Sequence, residues 1–142
     1  MYVVLDTCVL LPALGDAGRL REVRERIVSK CDVVTVSKDI LKEYVGKAYT
    51  GGMSSYILKG KLQEINKAGK LKTIETSKLK LVKIEKKPND ETDVKFLVAA
   101  VAVRARCIIT MDPQLLNLDP YECDQTQIRI FAPEVYLDLQ YA

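Results

Sequence analysis

Short runs of apolar and β-branched residues alternate along this chain with segments of helical periodicity. This alternation restricts the fold more than any other feature. The strand-like runs lie at about residues 3–7, 32–36, 79–84, 107–110 and 128–131. Such runs separated by helices predict βαβ units, and right-handed crossovers place the helices on both faces of the sheet. The sequence therefore predicts a three-layer α/β/α fold with a mainly parallel sheet of about five strands.

The helices are predicted from apolar residues spaced three and four positions apart. They cover about residues 17–30, 38–48, 54–68, 93–105 and 114–118, with a terminal helix beginning at Pro133. Ser37 and Thr92 are suitable N-caps for two of them, and Gly69 is a suitable C-cap for a third. Residues 93–105 are apolar on nearly every side, so we expect that helix to be buried.

Composition and length limit the class of protein. We expect residues 1–142 to form a single domain, because this length is enough for one core. The longest apolar run, residues 96–103, is too short to span a bilayer, and no signal peptide is recognisable. The four cysteines lack CxxC spacing and suit a reducing compartment. We therefore expect a cytoplasmic protein without membrane contact.

The sequence contains no histidine. Ser-His-Asp and Cys-His mechanisms are therefore excluded, as are nucleases that use histidine as acid and base. The groups that remain for catalysis are carboxylates, lysines, hydroxyls or a bound metal ion.

Four acidic residues are expected at one edge of the predicted sheet. Asp6 and Asp112 come just after strands. Asp93 begins the helix after the third strand, and Glu43 lies under two turns into the helix after the second. The carboxyl ends of parallel strands share an edge, so these side chains should converge. Converging carboxylates repel unless cations neutralise them, and oxygen ligands favour Mg²⁺ or Mn²⁺. The pattern predicts metal-assisted hydrolysis of a phosphodiester.

Each acid also has a simpler interpretation when it is taken alone. Asp6 could cap the turn after its strand, and Glu43 could be an ordinary exposed helix residue. Asp93 could interact with the helix dipole, and Asp112 before Pro113 could form a turn. The convergence of all four is a more specific prediction than any one of these roles.

Five segments match, in order, the motifs of a known family. They are Leu5-Asp6-Thr7-Cys8, Glu43, Glu91-Thr92-Asp93 with the following Phe96-Leu97-Val98-Ala99-Ala100, Ile108-Ile109-Thr110-Met111-Asp112 and Ile128-Arg129-Ile130-Phe131-Ala132-Pro133-Glu134. Together they resemble the PIN domain. The resemblance implies an endoribonuclease that depends on Mg²⁺ or Mn²⁺.

The resemblance also implies roles for individual residues. Asp6 and Asp93 would be the central metal ligands, while Glu43 and Asp112 would complete the site directly or through water. Supporting residues would be Thr7 and Thr110, which match positions that often carry a hydroxyl, and Asp90, which could assist Asp93. Cys8 departs from the family pattern, in which Asn or Ser is commoner, so the orientation of Asp6 would be less well supported.

A basic segment suggests the substrate. Residues 59–87 hold ten lysines against three glutamates, in a chain whose net charge is only +3. Such a segment favours an anionic polymer, although a solvated lysine-rich surface explains it about equally well. On the resemblance, the segment would face single-stranded or structured RNA, with phosphate contacts from Lys59, Lys61, Lys67, Lys70 and Lys72. Tyr49 and Tyr56 could stack on bases, whereas Tyr44 suits the core better.

Three biological roles remain open from the sequence. The chain could be the toxin of a toxin–antitoxin pair of the VapC type, with a small antitoxin protein as its partner. It could instead be a free-standing RNA-processing nuclease, although its length suits the toxin slightly better. A catalytically silent PIN-like module that binds RNA or protein is the alternative of another class. The family resemblance also implies a homodimer.

Overall fold

The computed structural model describes residues 1–15 and 18–139. The strands within them are β1 (Tyr2–Leu5), β2 (Val33–Val36), β3 (Leu71–Thr73), β4 (Cys107–Ile109), β5 (Tyr121–Cys123) and β6 (Thr126–Phe131). The helices are α1 (Thr7–Ala13), α2 (Arg21–Ser29), α3 (Lys38–Thr50), α4 (Ser55–Lys67), α5 (Thr76–Leu79), α6 (Val94–Val103), α7 (Pro113–Leu116) and α8 (Pro133–Asp138), with a 3₁₀ turn at Glu91–Asp93. The predicted start of the first long helix at Ala17 lies outside the described residues.

The strands form one sheet in the order β3-β2-β1-β4-β6-β5. All neighbouring pairs are parallel except β5 and β6, which are antiparallel. The chain moves from β1 through β2 to β3 and then crosses back to β4, on the other side of β1. The carboxyl ends of β1 and β4 therefore flank the point where the strand order reverses, the usual ligand-binding position in open α/β sheets. The predicted α/β fold is confirmed, with six strands rather than about five.

The helix α6 packs against the centre of the sheet, where it contacts β1, β2, β4 and β6. Its Phe96, Leu97, Ala99 and Ala100 are fully buried. The small alanine side chains let the helix lie close to the strands, so that its apolar surface is removed from water. The prediction of a buried helix is confirmed. Since Asp93 directly precedes α6, the docking of this helix also fixes the position of that carboxylate.

The third strand lies earlier in the chain than the sequence pattern predicts. The predicted strand at residues 79–84 is wrong, because Leu71–Thr73 pairs with β2 instead. The amides of Lys80, Leu81 and Val82 donate to carbonyl groups three or four residues back, as in a helix or turn. Leu81 is 82% exposed. The alternation of lysine with leucine and valine therefore belongs to a turn that covers the core on one side only.

Two predicted caps are found and one is not. The Ser37 side chain accepts a hydrogen bond of 3.2 Å from the amide of Ile40, and Gly69 follows the end of α4 with a positive φ of 74°. Thr92 is not a cap, because Asp90 accepts from its amide at 2.9 Å and so caps the 3₁₀ turn. In the described part of the chain, no helix is long and apolar enough to cross a membrane.

Candidate metal and active site

Three aspartates meet at the edge of the sheet where the strand order reverses. Asp6 follows β1, Asp112 follows β4, and Asp93 ends the 3₁₀ turn before α6. One carboxylate oxygen of each lies within 4.8 Å of the corresponding oxygen of the other two. We call these residues the three-aspartate cluster. Asp6 and Asp93 are each only 7% exposed, so their charges are largely removed from water.

Asp6 is aimed into the cluster by its neighbours in the sheet. Its amide donates to the carbonyl of Ile109 at 3.0 Å, which extends the pairing of β1 with β4. Its side chain makes no capping bond to α1, so the simpler role as a cap does not apply. Instead, Oδ2 accepts a hydrogen bond of 2.6 Å from Oγ1 of Thr110. The sheet therefore fixes both the backbone and the carboxylate of Asp6.

The Asp93 carboxylate has the most unusual environment. Its Oδ2 is buried and has no hydrogen-bond partner among the described residues. Burial, the contact with Asp112 and the charge of Asp6 raise the pKa of Asp93 to about 7. Burial likewise raises the pKa of Asp6, although hydrogen bonds from Thr110 and Cys8 oppose the shift. Carboxylates this close are costly to ionise unless a cation compensates them.

Asp112 has two roles at once. Its Oδ1 accepts a hydrogen bond of 2.9 Å from the amide of Gln114, and so it caps the short helix α7. The amide of Asp112 also donates to Oγ1 of Thr110 at 3.0 Å. The turn chemistry expected before Pro113 is therefore present, and it holds Asp112 in the cluster.

Glu43 lies beside the three-aspartate cluster and is not part of it. Both of its oxygens have partners, since Oε2 accepts from Oγ1 of Thr7 and Oε1 lies 2.6 Å from Nζ of Lys95. Thr7 therefore orients Glu43. Glu43 is not the exposed helix residue of the simpler interpretation, because its side chain is only 17% exposed.

All four acids line one cleft, which has a volume of about 730 Å³. We call it the acid cleft, and Thr7, Cys8 and Asp90 also line it. Asp90 is exposed, and its hydrogen bonds from Thr92 lower its pKa. It is thus a capping residue at the rim and not a member of the cluster. Desolvation and the charge of Asp6 raise the pKa of the Cys8 thiol to about 11, so it stays protonated at neutral pH.

The donor set suits a hard divalent cation. Every ligand atom that the cluster offers is a carboxylate oxygen, which is the donor type preferred by Mg²⁺ and Mn²⁺. The buried Oδ2 of Asp93 has no hydrogen-bond partner among the described residues, so it is available as a ligand for such an ion. Asp6, Asp93 and Asp112 could hold the ion, and Glu43 could interact with it through water.

The sequence profile of the PIN domain matches residues 2–114. The chain belongs to the PIN domain family. PIN domains are generally metal-dependent nucleases. The chain is also similar to a solved structure of VapBC2 from Rickettsia felis bound to a DNA fragment from their promoter. The TM-score is 0.56 at 14% identity, over 92% of this chain and 98% of that chain. No curated protein sequence matches the chain.

The lysines predicted to contact RNA lie elsewhere on this PIN domain. Lys59, Lys61 and Lys67 are on α4, Lys72 is in β3, and Lys70 directly precedes β3. None of the five is among the residues that line the acid cleft. Nζ of Lys70 donates to the carbonyl of Lys30 at the amino ends of the strands. The three-aspartate cluster lies at the carboxyl ends, so Lys70 is on the opposite side of the sheet from it.

Two tyrosines at the tip of the α3–α4 hairpin are well placed for contact with a partner. Tyr49 is 79% exposed and Tyr56 is 86% exposed. Tyr44 is fully buried, and its hydroxyl donates to the carbonyl of Leu5. The interpretation of Tyr44 as a core residue is therefore correct.

Two lysines near the acids were missed by sequence reasoning. Lys47 lines the acid cleft of this PIN domain, one turn of α3 beyond Glu43. Lys95 forms the ion pair with Glu43. For Lys47 a signal was present, because residues four apart on a helix share a face. For Lys95 no signal was present, since its contact joins two helices that are distant in sequence.

Proposed function

We propose that this PIN domain is an endoribonuclease that hydrolyses RNA phosphodiester bonds with Mg²⁺ or Mn²⁺. The observation that carries the proposal is the unpartnered, buried Oδ2 of Asp93 within the three-aspartate cluster. Burial beside two other acids raises the pKa of Asp93 to about 7. Such an arrangement is unfavourable for the metal-free fold and is typical of a functional site. Membership of a family of metal-dependent nucleases supports the same reaction.

Each residue of the site has a defined task in this proposal. Asp6, Asp93 and Asp112 hold the ion, and Thr110 keeps the Asp6 carboxylate aimed at it. Glu43 would accept a hydrogen bond from a water beside the cluster, in addition to its contacts with Thr7 and Lys95. When bound, the ion supplies stabilisation of charge on a phosphoryl oxygen and a lowered pKa for the attacking water. No histidine is required, which agrees with its absence from the sequence.

The substrate we infer is RNA that reaches the acid cleft as a single strand or as an unpaired part of a folded RNA. Lys47 in the cleft can contact a phosphate, and the exposed Tyr49 and Tyr56 can stack on bases. The lysines at positions 59, 61, 67, 70 and 72 would add attraction at longer range that depends on salt. The reaction would take place in the cytoplasm, where the free cysteines stay reduced.

A toxin role is favoured by one comparison. The chain resembles VapBC2 of Rickettsia felis over 98% of the length of that chain. We propose on this ground that the protein acts as a VapC-type toxin that binds a small antitoxin protein. The homodimer is proposed from the family resemblance alone. A free-standing RNA-processing nuclease would use the same site.

The test is cleavage of a labelled single-stranded RNA with Mn²⁺, with Mg²⁺ and with EDTA, together with Asp6→Asn. Metal-dependent cleavage that disappears in Asp6→Asn would support the nuclease and its site. If Mn²⁺ raises the melting temperature but no RNA is cleaved, general ribonuclease activity is contradicted and a particular RNA must be sought. If Mn²⁺ neither raises the melting temperature nor supports cleavage of RNA, the chain is a silent PIN-like binding module.

A further inference from the structure

The contacts of Glu43 assign a function to Lys95, which no motif of the sequence identifies. Nζ of Lys95 lies 2.6 Å from Oε1 of Glu43, and both side chains are mostly buried. Because Thr7 occupies the other oxygen of Glu43, this carboxylate is held at both ends. A buried carboxylate held in this way keeps a fixed position, since rotation would break two charge-assisted hydrogen bonds.

Lys95 is itself held in place. Its Nζ also donates to the carbonyl of Thr92, and its ammonium lies 5.4 Å from the centre of the Phe96 ring. Phe96 is fully buried in the core. The long lysine side chain, which is usually mobile, is therefore anchored to the beginning of α6. Asp93 directly precedes the same helix, so the beginning of α6 positions both groups.

Lys95 contacts Glu43 but does not line the acid cleft that contains the three-aspartate cluster. A second cavity of about 560 Å³ adjoins the acid cleft, and Lys95 is among its lining residues. Glu43 and Thr92 line both cavities. Glu43 therefore lies where the two cavities meet, and the three aspartates line only the acid cleft whereas Lys95 lines only the second cavity.

We propose that Lys95 is a positioning residue that holds the Glu43 carboxylate beside the three-aspartate cluster and prevents it from becoming a direct metal ligand. This inference rests on the proposed function for the identity of the metal. It deepens that function, because it assigns the direct ligands to the three aspartates and leaves Glu43 as a fixed acceptor for a water. Without Lys95, Oε1 of Glu43 would lose its partner and would turn towards the bound cation.

Lys95→Met tests the proposal, because methionine keeps the length of the side chain and removes its charge. We expect Mn²⁺ to bind this variant about 5- to 10-fold more tightly in calorimetry, because Glu43 is then free to join the ligands. We expect kcat for RNA cleavage to fall by about 10- to 100-fold with KM unchanged, because the acceptor for the water has moved. Lys95→Arg, which can restore the ion pair, should recover most of kcat.

The decisive comparison repeats Lys95→Met in the Glu43→Met background, because methionine keeps the length of the side chain and has no oxygen that can accept a hydrogen bond from Lys95. If Lys95 acts through Glu43, the second substitution changes neither the Kd for Mn²⁺ nor kcat by more than about 2-fold, because the contact is already lost. If Lys95→Met has the same effect in both backgrounds, Lys95 acts directly on the ion or on the RNA phosphate, and the proposal is overturned. Lys38→Met, an exposed lysine on the same helix as Glu43, is the matched control for lost charge.

The two proposals fail in different ways. Coupling between Lys95 and Glu43 in Mn²⁺ binding without any RNA cleavage would contradict the nuclease and keep the positioning role. Cleavage of RNA without this coupling would keep the nuclease and overturn the positioning role. A wild-type protein that binds no Mn²⁺ would overturn both.

Discussion

Thr110 links two of the acids through a single hydroxyl group. Its Oγ1 donates to Oδ2 of Asp6 over 2.6 Å and accepts from the amide of Asp112 over 3.0 Å. The hydroxyl donates its only proton to Asp6, so it favours the ionised carboxylate and opposes the rise in the pKa of Asp6 that burial causes. The carboxylates that follow two adjacent strands thus depend on one side chain, which is fully buried.

We expect Thr110→Val to lower RNA cleavage by about 10- to 100-fold and to weaken Mn²⁺ binding, because Asp6 loses the group that orients it. The fold should persist, since valine has nearly the same shape. Thr35→Val is the matched control, because Thr35 is equally buried in β2 and its Oγ1 has no hydrogen-bond partner among the described residues. Equal losses of cleavage in both variants would show that Thr110 has only a packing role.

The pKa of Asp93 predicts how the stability of the metal-free protein changes with pH. This pKa is about 7 in the folded protein, against a usual value of 3.8. The folded state therefore holds the proton more tightly than the unfolded state. The contribution of Asp93 to stability is complete below about pH 4 and is lost as the pH rises through about 7. In EDTA, we expect the melting temperature to fall between pH 5 and pH 8, and Asp93→Asn to flatten this decrease.

At pH 8, Asp93→Asn should raise the melting temperature of the metal-free protein by at least about 3 °C, because a repelled charge is removed. The same variant should lose the stabilisation by Mn²⁺, which in the wild type reaches about 2.7 kcal/mol at 100 times Kd. Asp138→Asn, at an exposed position in α8, should change neither quantity. A melting temperature that does not depend on pH in EDTA would contradict the raised pKa.

The sequence was sufficient to bring the aspartates together. Asp6 and Asp112 follow strands whose apolar character is local and easily recognised, and the topology of parallel sheets does the rest. The family resemblance groups Glu43 with Asp112, as residues that complete the site directly or through water. The structure separates Glu43 from Asp112, because the environment of Glu43 depends on Lys95 in a helix that is distant in sequence. Local patterns give the edge at which a residue lies, but they do not give its charged partners.

Local features of the sequence explain why β5 is not predicted and why β3 is predicted at the wrong position. β5 joins β6 through Asp124 and Gln125, whose φ angles are 51° and 63°. Such two-residue turns usually contain glycine, and here there is none to indicate a hairpin. β3 has only three residues and lies at the edge of the sheet, so it requires little apolar sequence. The alternation of lysine with apolar residues at 79–84 is more regular and so gives the stronger strand signal, although this segment forms no strand.

A buried contact far from the site gives a test of stability alone. The hydroxyl of Tyr136 donates to Oδ2 of Asp32 over 2.7 Å, and both residues are fully buried. Asp32 directly precedes β2 and so lies at the amino ends of the strands. We expect Tyr136→Phe to lower the free energy of unfolding by about 1 to 3 kcal/mol, because a buried carboxylate loses a donor. The increase in melting temperature caused by Mn²⁺ should stay unchanged. The exposed Tyr56→Phe serves as the control in urea denaturation.

The path of the RNA can be tested with two lysines at opposite edges of the sheet. Lys47 lines the acid cleft, whereas Lys70 donates to the carbonyl of Lys30 at the amino ends of the strands. Binding to a single-stranded RNA is measured against salt concentration in the Asp6→Asn background, which prevents cleavage. Lys47→Ala should weaken binding and reduce the slope of log K against log salt by about 0.7, the value for one phosphate contact. Lys70→Ala should change this slope much less than Lys47→Ala does, because Lys70 adds only attraction at longer range. A slope reduced by Lys70→Ala and not by Lys47→Ala would mean that the RNA binds at the other edge of the sheet, away from the three-aspartate cluster.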